Sequence, residues 1–246
     1  MKQFLRKLFG SEKPSHPFCS AVVAAAGSSS RMGGVNKLLL PLEGVPVLAW
    51  TLRALDEAAL VDEIVVAARE EDLLAIGDLC RTYGIAKPVK IVCGGETRAA
   101  SVLAAAMECR EDGAFIAVHD GARPLAEPAL IDSVIQLAFR TNAAVPAVPV
   151  KDTIKVVEGD RICSTLDRET LRAVQTPQVF DAALLRASLQ SAVDGGIPIT
   201  DDCSAVERIG KEIYLTDGSY ENIKITTPED LALAAAILQR REEERP

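Results

Sequence analysis

Residues 22–44 have the sequence VVAAAGSSSRMGGVNKLLLPLEG. This stretch is the first indication of the fold. It starts with small apolar residues typical of a buried strand and passes into a loop of glycine and serine. It then leads to PVLAWTLRALDEA, residues 46–58, whose apolar residues recur at helical spacing. Backbone N–H groups in such a loop can approach an anion, and Arg31 and Lys37 add two cations. The loop is predicted to hold phosphate; the alternative is a surface turn with two solvated cations.

Strand-like and helical segments alternate up to residue 150. Buried strands are predicted at residues 20–26, 63–69, 89–95, 114–120 and 143–150. Helices are predicted between them, with Thr97 as an N-cap, Gly84 at a C-terminal cap and Pro128 in a first turn. This α/β alternation indicates a mostly parallel sheet with helices on both faces. In such sheets ligands bind outside the carboxyl ends of the strands, here at residues 27–37, 94–101 and 119–124.

The alternation ends at residue 151. KDTIKVVEGDRICSTLDRETL, residues 151–171, is predicted to form two short strands around a Glu158-Gly159-Asp160 turn. A two-stranded ribbon is marginal alone and its edges need covering, so we interpret it as a projecting arm that packs on another subunit. A hairpin lying on its own domain is the alternative. Beyond it we predict a strand at 173–180, helices from Asp181 and at 201–210, strands at 212–218 and 222–226, and a last helix from Thr227.

These patterns divide the chain into an N-terminal extension and one domain. The extension spans residues 1–18, and the domain spans residues 19–246 with its β-arm at about 151–172. The extension is basic and amphipathic, and its apolar part is too short for a secretory signal.

Composition excludes several classes of protein. Hydrophobic residues make up 48% of the 246 residues, enough for a sizeable core. The net charge of −8 argues against a nucleic-acid partner, and no apolar run approaches the roughly 18 residues of a membrane span. The six cysteines lack CxxC spacing, so we expect reduced core residues of a cytoplasmic protein rather than a zinc site.

Two well-known phosphate loops do not match the glycine loop. A Walker A loop needs glycine where Met32 stands, and a dinucleotide fingerprint needs glycine where Ser29 stands. The neighbouring strand ends nevertheless support a phosphate site. Asp120 follows a predicted strand directly, where a carboxylate can hold Mg²⁺ together with substrate phosphates, although aspartate is also common in turns. CGGETRAASV, residues 93–102, adds a second glycine turn that could line a base pocket, and His119 is interpreted as structural.

Seven segments carry a family resemblance, in this order: AAAGSSSRMGGVNKLLLPLEGVPVLAWTL, GGETRAASV, VHDGARP, PVKDTIK, DRETLRAVQTPQVF, ITDDCSAVE and NIKITTPEDLALA. Together they resemble the 2-C-methyl-D-erythritol 4-phosphate cytidylyltransferases. The resemblance implies a Rossmann-like domain and a homodimer in which the arm completes the partner's active site. It also implies transfer of the cytidylyl group of CTP to methylerythritol phosphate, with release of pyrophosphate, in non-mevalonate isoprenoid biosynthesis.

Positions that match the family's motifs imply individual roles. Arg31, Lys37 and Lys224 resemble catalytic cations, and Asp120 resembles a ligand of Mg²⁺ and of the substrate. The nucleotide pocket is matched by Ala25, Ala26, Gly27, Gly95, Glu96 and Ser101. The contacts to the sugar phosphate are matched by Arg123, Thr153, Arg168 and Thr200. Thr153 and Arg168 lie on the arm and would act across the dimer. The family often has glycine at Ser29, proline at Asn36 and aspartate at Glu96.

Two alternatives remain open at this point. A ribitol 5-phosphate cytidylyltransferase would share the CTP loop and much of the arm. A catalytically inactive nucleotide-binding homologue would share the fold, but the intact set Arg31, Lys37, Asp120 and Lys224 argues against it.

Overall fold

The computed structural model describes residues 16–27 and 36–244, and its elements are numbered here in chain order. The strands are β1 (Cys19–Ala24), β2 (Pro41–Leu42), β3 (Val45–Pro46), β4 (Glu63–Ala68), β5 (Val89–Cys93), β6 (Phe115–Asp120), β7 (Ala143–Pro149), β8 (Lys155–Glu158), β9 (Arg161–Thr165), β10 (Arg172–Val174), β11 (Gln178–Asp181) and β12 (Tyr214–Asp217). The helices are α1 (Val47–Glu57), α2 (Leu73–Thr82), α3 (Arg98–Glu108), α4 (Pro128–Thr141), α5 (Ala182–Asp194), α6 (Asp202–Arg208) and α7 (Pro228–Glu243).

The main sheet is mixed, with a parallel half that carries the site. Its strands follow the order β10-β7-β11-β6-β1-β4-β5, and β12 also pairs with β7. The neighbours β6, β1, β4 and β5 are all parallel, whereas β11 runs antiparallel to both β6 and β7. The chain passes from β1 to β4 on one side and later to β6 on the other. A switch point of this kind opens a crevice at the carboxyl ends of the strands, where doubly wound sheets bind ligands.

Helices cover both faces of the sheet, because its strands are apolar on both sides. In β1, Ala21 and Val23 face a core that includes Leu52 of α1, whereas Val22 faces a second core that includes Val102 of α3. Side chains of successive strand residues alternate between faces, so a continuous apolar run requires two covering layers. The predicted α/β fold with helices on both faces is confirmed.

Local signals at the helix ends are also confirmed. Thr97 accepts a hydrogen bond from the backbone N–H of Ala100 and begins α3, and Thr227 forms a capping box with Asp230 at the start of α7. Gly84 has a φ of +66° just beyond α2, a conformation that glycine adopts without the strain of a Cβ atom.

Three predictions about elements and cysteines are wrong in detail. Residues 173–180 form two strands, β10 and β11, separated by residues 175–177, so this part of the chain pairs with two different neighbours. Residues 222–226 form no strand, because Ile225 donates its backbone N–H to Ala122 and the segment crosses the carboxyl edge of the sheet. The side chains of Cys93 and Cys163 are exposed, unlike those of Cys19, Cys109 and Cys203, so not all cysteines belong to the core.

The predicted hairpin forms a separate two-stranded sheet of β8 and β9. The strands join through Gly159 and Asp160, with Glu158 opposite Arg161. Every residue of β8 and β9 is exposed, including the apolar Val157 and Ile162. The ribbon therefore pairs with no other strand of its own chain in the part that the structure describes. No helix within residues 16–27 and 36–244 is long and apolar enough to cross a bilayer.

Candidate active site

A cavity of about 330 Å³ lies at the carboxyl ends of β1, β5 and β6, at the switch point of the sheet. Residues from all three predicted loops and from the segment before α7 line it: Ala24, Ala25, Ala26, Gly27, Lys37, Leu38, Gly95, Glu96, Thr97, Arg98, Ser101, Asp120, Ala122 and Lys224. Its volume is at the lower end of the range of small-molecule sites in proteins. Every residue predicted for the nucleotide pocket lies in this wall.

The loop after β1, which contains Ala26, and the loop at residues 94–101 pack closely and shape one part of the cavity. A Cβ atom at Gly94 would lie 2.5 Å from the Cβ of Ala26 and 2.9 Å from Oγ of Ser101, and one at Gly95 would lie 2.6 Å from the Cβ of Ala100. Only glycine fits at these two positions without moving a neighbour. Ser101 in turn donates from Oγ to the carbonyls of Gly95 and Thr97, which ties the loop to α3.

Asp120 forms the anionic centre of the site at the end of β6. Its Oδ2 lies 3.1 Å from Nζ of Lys224 and 3.3 Å from Nε of Arg123. Burial by itself raises the pKa of this carboxyl. The positive charges of Lys224, Arg123 and Arg98 lower the pKa by more than burial raises it, so it falls from its ordinary value of 3.8 to about 2. Asp120 is therefore ionised near pH 7.

Lys37 lines the same cavity. It begins a short 3₁₀ helix, Lys37–Leu39, whose N-cap Asn36 accepts from the backbone N–H of Leu38 and donates to Asp72. Its Nζ donates to the carbonyl of Ile225 at 2.8 Å. Because Ile225 directly follows Lys224, this bond places the two lysines on one stretch of the cavity wall.

His119 supports the backbone beside Asp120 and does not line the cavity. Its Nδ1 lies 3.0 Å from Oγ1 of Thr176, which also accepts from the backbone N–H of Asp120, and its Nε2 lies 3.3 Å from the carbonyl of Arg123. Burial lowers the pKa of His119 to about 4, so the imidazole is neutral near pH 7. Nε2–H then donates to the carbonyl of Arg123, and Nδ1 accepts from the hydroxyl of Thr176. These contacts agree with the structural role expected for His119.

Arg98 is a residue of the cavity wall that was not predicted from the sequence. This residue lines the cavity at the first position of α3 and forms an ion pair with Asp202, 104 residues further along the chain. Burial lowers the pKa of Arg98, but Asp202 raises it more, so the guanidinium remains charged. No local pattern marks this arginine, because its partner comes from another helix.

Several predicted residues lie elsewhere. Arg123 is buried against Asp120 and donates to the carbonyl of Asn222 at 2.6 Å, so it braces the segment that carries Lys224. Thr200 is exposed before α6, and Thr153 and Arg168 are exposed on the arm. None of these four lines the cavity within a single chain. Arg31 and Ser29 lie outside the residues that the structure describes.

The donor set suits a divalent cation only if substrate oxygens complete it. No group of three or more His, Cys, Asp or Glu side chains that could hold a metal occurs in the part of the chain described. Asp120 offers one ionised carboxylate beside cationic side chains. Mg²⁺ commonly takes one or two carboxylates and fills its other positions with phosphate oxygens and water, and this residue set fits that mode.

The fold and cavity together define an α/β nucleotide-binding protein with cations placed for phosphate. Residues 19–240 match the model of a family described as 2-C-methyl-D-erythritol 4-phosphate cytidylyltransferase. The chain belongs to this family.

Individual relatives agree with this assignment. A protein of this name from Halalkalibacterium halodurans is 44% identical over 91% of this chain and 98% of its own length. One from Bacillus cytotoxicus is 45% identical over 89% and 98%. The structure resembles that of 4-diphosphocytidyl-2C-methyl-D-erythritol synthase from Anaerococcus prevotii, with a TM-score of 0.82 and 30% identity over 91% of this chain and 96% of that one. The Thermus thermophilus cytidylyltransferase aligns with a TM-score of 0.73 and 33% identity over 90% and 99%.

Proposed function

We propose that this protein transfers the cytidylyl group of CTP to 2-C-methyl-D-erythritol 4-phosphate. The products are 4-diphosphocytidyl-2-C-methyl-D-erythritol and pyrophosphate, an intermediate and a by-product of non-mevalonate isoprenoid biosynthesis. The observation that carries the proposal is the convergence of Lys37, Lys224 and Asp120 on one cavity in a chain of this family.

The residues at the cavity match the demands of the reaction. An oxygen of the methylerythritol phosphate attacks the α-phosphorus of CTP in line, and pyrophosphate leaves on the opposite side. The nucleophile is already an anion, so no strong general base is needed, and the neutral, buried His119 is not placed as one. The main difficulty is to bring two anions together, which requires positioning and fixed positive charge.

The cations divide this work between the two substrates. Lys37, with Arg31, is assigned to the phosphates of CTP. Lys224, which pairs with Asp120, is assigned to the sugar phosphate. Gly95, Glu96 and Ser101 form the wall that we assign to the cytidine.

Mg²⁺ is the proposed metal cofactor. Asp120 would hold it together with the phosphate oxygens of CTP. When bound, the ion would neutralise charge on the nucleotide phosphates and on the leaving pyrophosphate.

A homodimer is proposed as the working form. β8 and β9 carry exposed apolar side chains and pair with no other strand among the described residues, as expected for an arm that packs on a partner. Thr153 and Arg168 lie on this arm, away from the cavity of their own chain, so they are assigned to the sugar phosphate in the partner's site.

We place the protein in the cytoplasm, where its free cysteines would remain reduced.

One assay tests the function and separates the alternatives. Pyrophosphate release is measured with CTP and Mg²⁺, in parallel with methylerythritol phosphate, with ribitol 5-phosphate and with neither. Release that requires methylerythritol phosphate supports the proposal. A preference for ribitol 5-phosphate would reassign the substrate, and no release with either, from protein that binds CTP, would indicate an inactive homologue.

A further inference from the structure

A bidentate ion pair joins the wall of the cavity to the start of α6, which lies outside the lining of the cavity. Arg98 donates from Nη1 to Oδ1 of Asp202 at 2.9 Å and from Nη2 to Oδ2 at 2.6 Å. The carboxylate is fully buried, whereas the arginine side chain is 26% exposed and lines the cavity. Two parallel bonds fix the orientation of both groups as well as their distance.

The arginine end of this pair belongs to the nucleotide side. Arg98 is the first residue of α3 and directly follows Glu96 and Thr97, which also line the cavity. The ion pair therefore fixes the start of α3 and the loop before it.

The aspartate end belongs to the start of α6, which does not line the cavity. Asp202 is the first residue of α6 and lies two positions beyond Thr200, the residue assigned to the sugar phosphate. Gln178 of β11 holds this turn: its Oε1 accepts from the backbone N–H groups of Asp202 and Cys203, and its Nε2 donates to Asp201. The Thr200 segment is thus bonded both to the sheet and to Arg98.

We propose that the Arg98–Asp202 pair is a positioning element that holds the nucleotide wall and the Thr200 segment in one fixed relation, and so places both substrates. This inference rests on the proposed function and adds two positioning residues to it. It requires that loosening the pair disturb the binding of CTP and of the sugar phosphate together. A direct nucleotide contact by Arg98 alone would affect CTP only.

Two conservative variants test the pair while keeping a polar partner at each position. Asp202→Asn removes the charge but keeps the shape and one acceptor, and Arg98→Lys keeps the charge but loses the bidentate geometry. We expect both variants to stay folded and to raise KM for CTP and for methylerythritol phosphate. We expect kcat/KM to fall roughly 10- to 100-fold, with a smaller change in kcat, because the reacting groups are misplaced rather than removed.

Glu63→Gln is the matched control. Glu63 is also a buried carboxylate, and it accepts from Ser20 and from the backbone N–H of Arg110 at the amino end of β4. The variant Glu63→Gln should lower stability without changing KM for CTP or for methylerythritol phosphate. If Asp202→Asn and Arg98→Lys behave in the same way, the pair is only structural and the inference is wrong.

Two further outcomes would also overturn the inference or its basis. A rise in KM for CTP alone would make Arg98 a nucleotide contact and not a joint positioning residue. Absence of turnover in the unmodified protein would instead remove the proposed function, and this result is obtained before any variant is made.

Discussion

Nζ of Lys224 lies 3.1 Å from Oδ2 of Asp120, in a segment that crosses the carboxyl edge of the sheet and extends none of its strands. Three of the bonds that hold the segment are Ile225 N–H to the carbonyl of Ala122, Nζ of Lys37 to the carbonyl of Ile225, and Arg123 to the carbonyl of Asn222. Lys37 and Arg123 therefore both help to position the backbone that carries Lys224. This interdependence leads to separable predictions for each of them.

Lys37→Ala should lower kcat by about 100-fold or more, because it removes a fixed positive charge from the phosphates in the transition state. The fold should survive, since the lysine lines the cavity and donates there to the carbonyl of Ile225. Steady-state kinetics and thermal unfolding measure the two effects. Lys90→Ala, an exposed lysine away from the cavity, is the control, and near-normal turnover of Lys37→Ala would refute its assignment.

Asp120→Asn should abolish most activity, and added Mg²⁺ should not restore it, because the amide keeps the shape of the side chain but loses its charge. The pKa of Asp120 is about 2, below its ordinary value of 3.8, so its carboxylate stabilises the fold above pH 3.8 and this contribution disappears as the pH falls through about 2. The pH profile of the unmodified enzyme should accordingly show no titration of Asp120 above pH 4 or so. Near-normal turnover of Asp120→Asn at the Mg²⁺ concentration used for the unmodified enzyme would contradict the metal role.

Gly94→Ala should raise KM for CTP by roughly tenfold or more, because the new methyl group would push apart Ala26 and Ser101 in the cavity wall. Gly77→Ala is the matched control within α2. There the nearest atom lies 3.7 Å from the added Cβ, so this variant should keep normal kinetics and gain up to about 1 kcal/mol of stability. Equal KM values for CTP in Gly94→Ala and Gly77→Ala would contradict this prediction, because they would show that Ala26 and Ser101 can move apart without weakening the binding of CTP.

Stability should decrease as the pH falls between about 6.5 and 4, because of His119. Its pKa is about 4 in the folded protein and 6.5 at its ordinary value. Within this window the unfolded chain binds a proton that the folded protein excludes, so the free energy of unfolding falls by up to about 1.4 kcal/mol per pH unit. Urea unfolding across the window measures the slope. His119→Gln should flatten it, and an unchanged slope in that variant would assign the effect to other groups.

Mixed dimers should test whether the arm acts in trans. Arg168→Ala and Lys37→Ala should each be nearly inactive alone, but a heterodimer of the two retains one site with both groups and should recover activity. Lys37→Ala mixed with Lys224→Ala is the control, because both residues lie in the same chain's cavity and no intact site forms. Verified heterodimers of the first pair that stay inactive would contradict a shared site.

The elements that the sequence predicted well are those with local signals. Apolar runs identified β1, β4, β5 and β6, and Thr97, Gly84 and Pro128 marked helix ends at which they are found. The nucleotide wall could be predicted because a parallel sheet brings the ends of neighbouring strands to one edge. Family motifs then supplied Lys224, which no local pattern would have placed near Asp120.

The failures arose where long-range contacts overrule local preference. Residues 222–226 are apolar and polar in alternation, like a strand, but they bond to Ala122 at the edge of the sheet. Residues 173–180 look continuous, but β10 and β11 pair with β7 at different levels and β11 also pairs with β6. Cys93 and Cys163 have apolar neighbours in sequence and still lie on the surface.

Side-chain pattern and residue type were enough to predict the order of most strands and helices and the small residues of the cavity wall. They also showed which charged side chains the site could use. Only the tertiary structure decided that Lys224 pairs with Asp120, that Arg98 pairs with Asp202 and that His119 is neutral. Those properties depend on distance and burial between segments far apart in the chain. A charge acquires its partner and its pKa only when folding brings the partner within a few ångströms and removes the water around it.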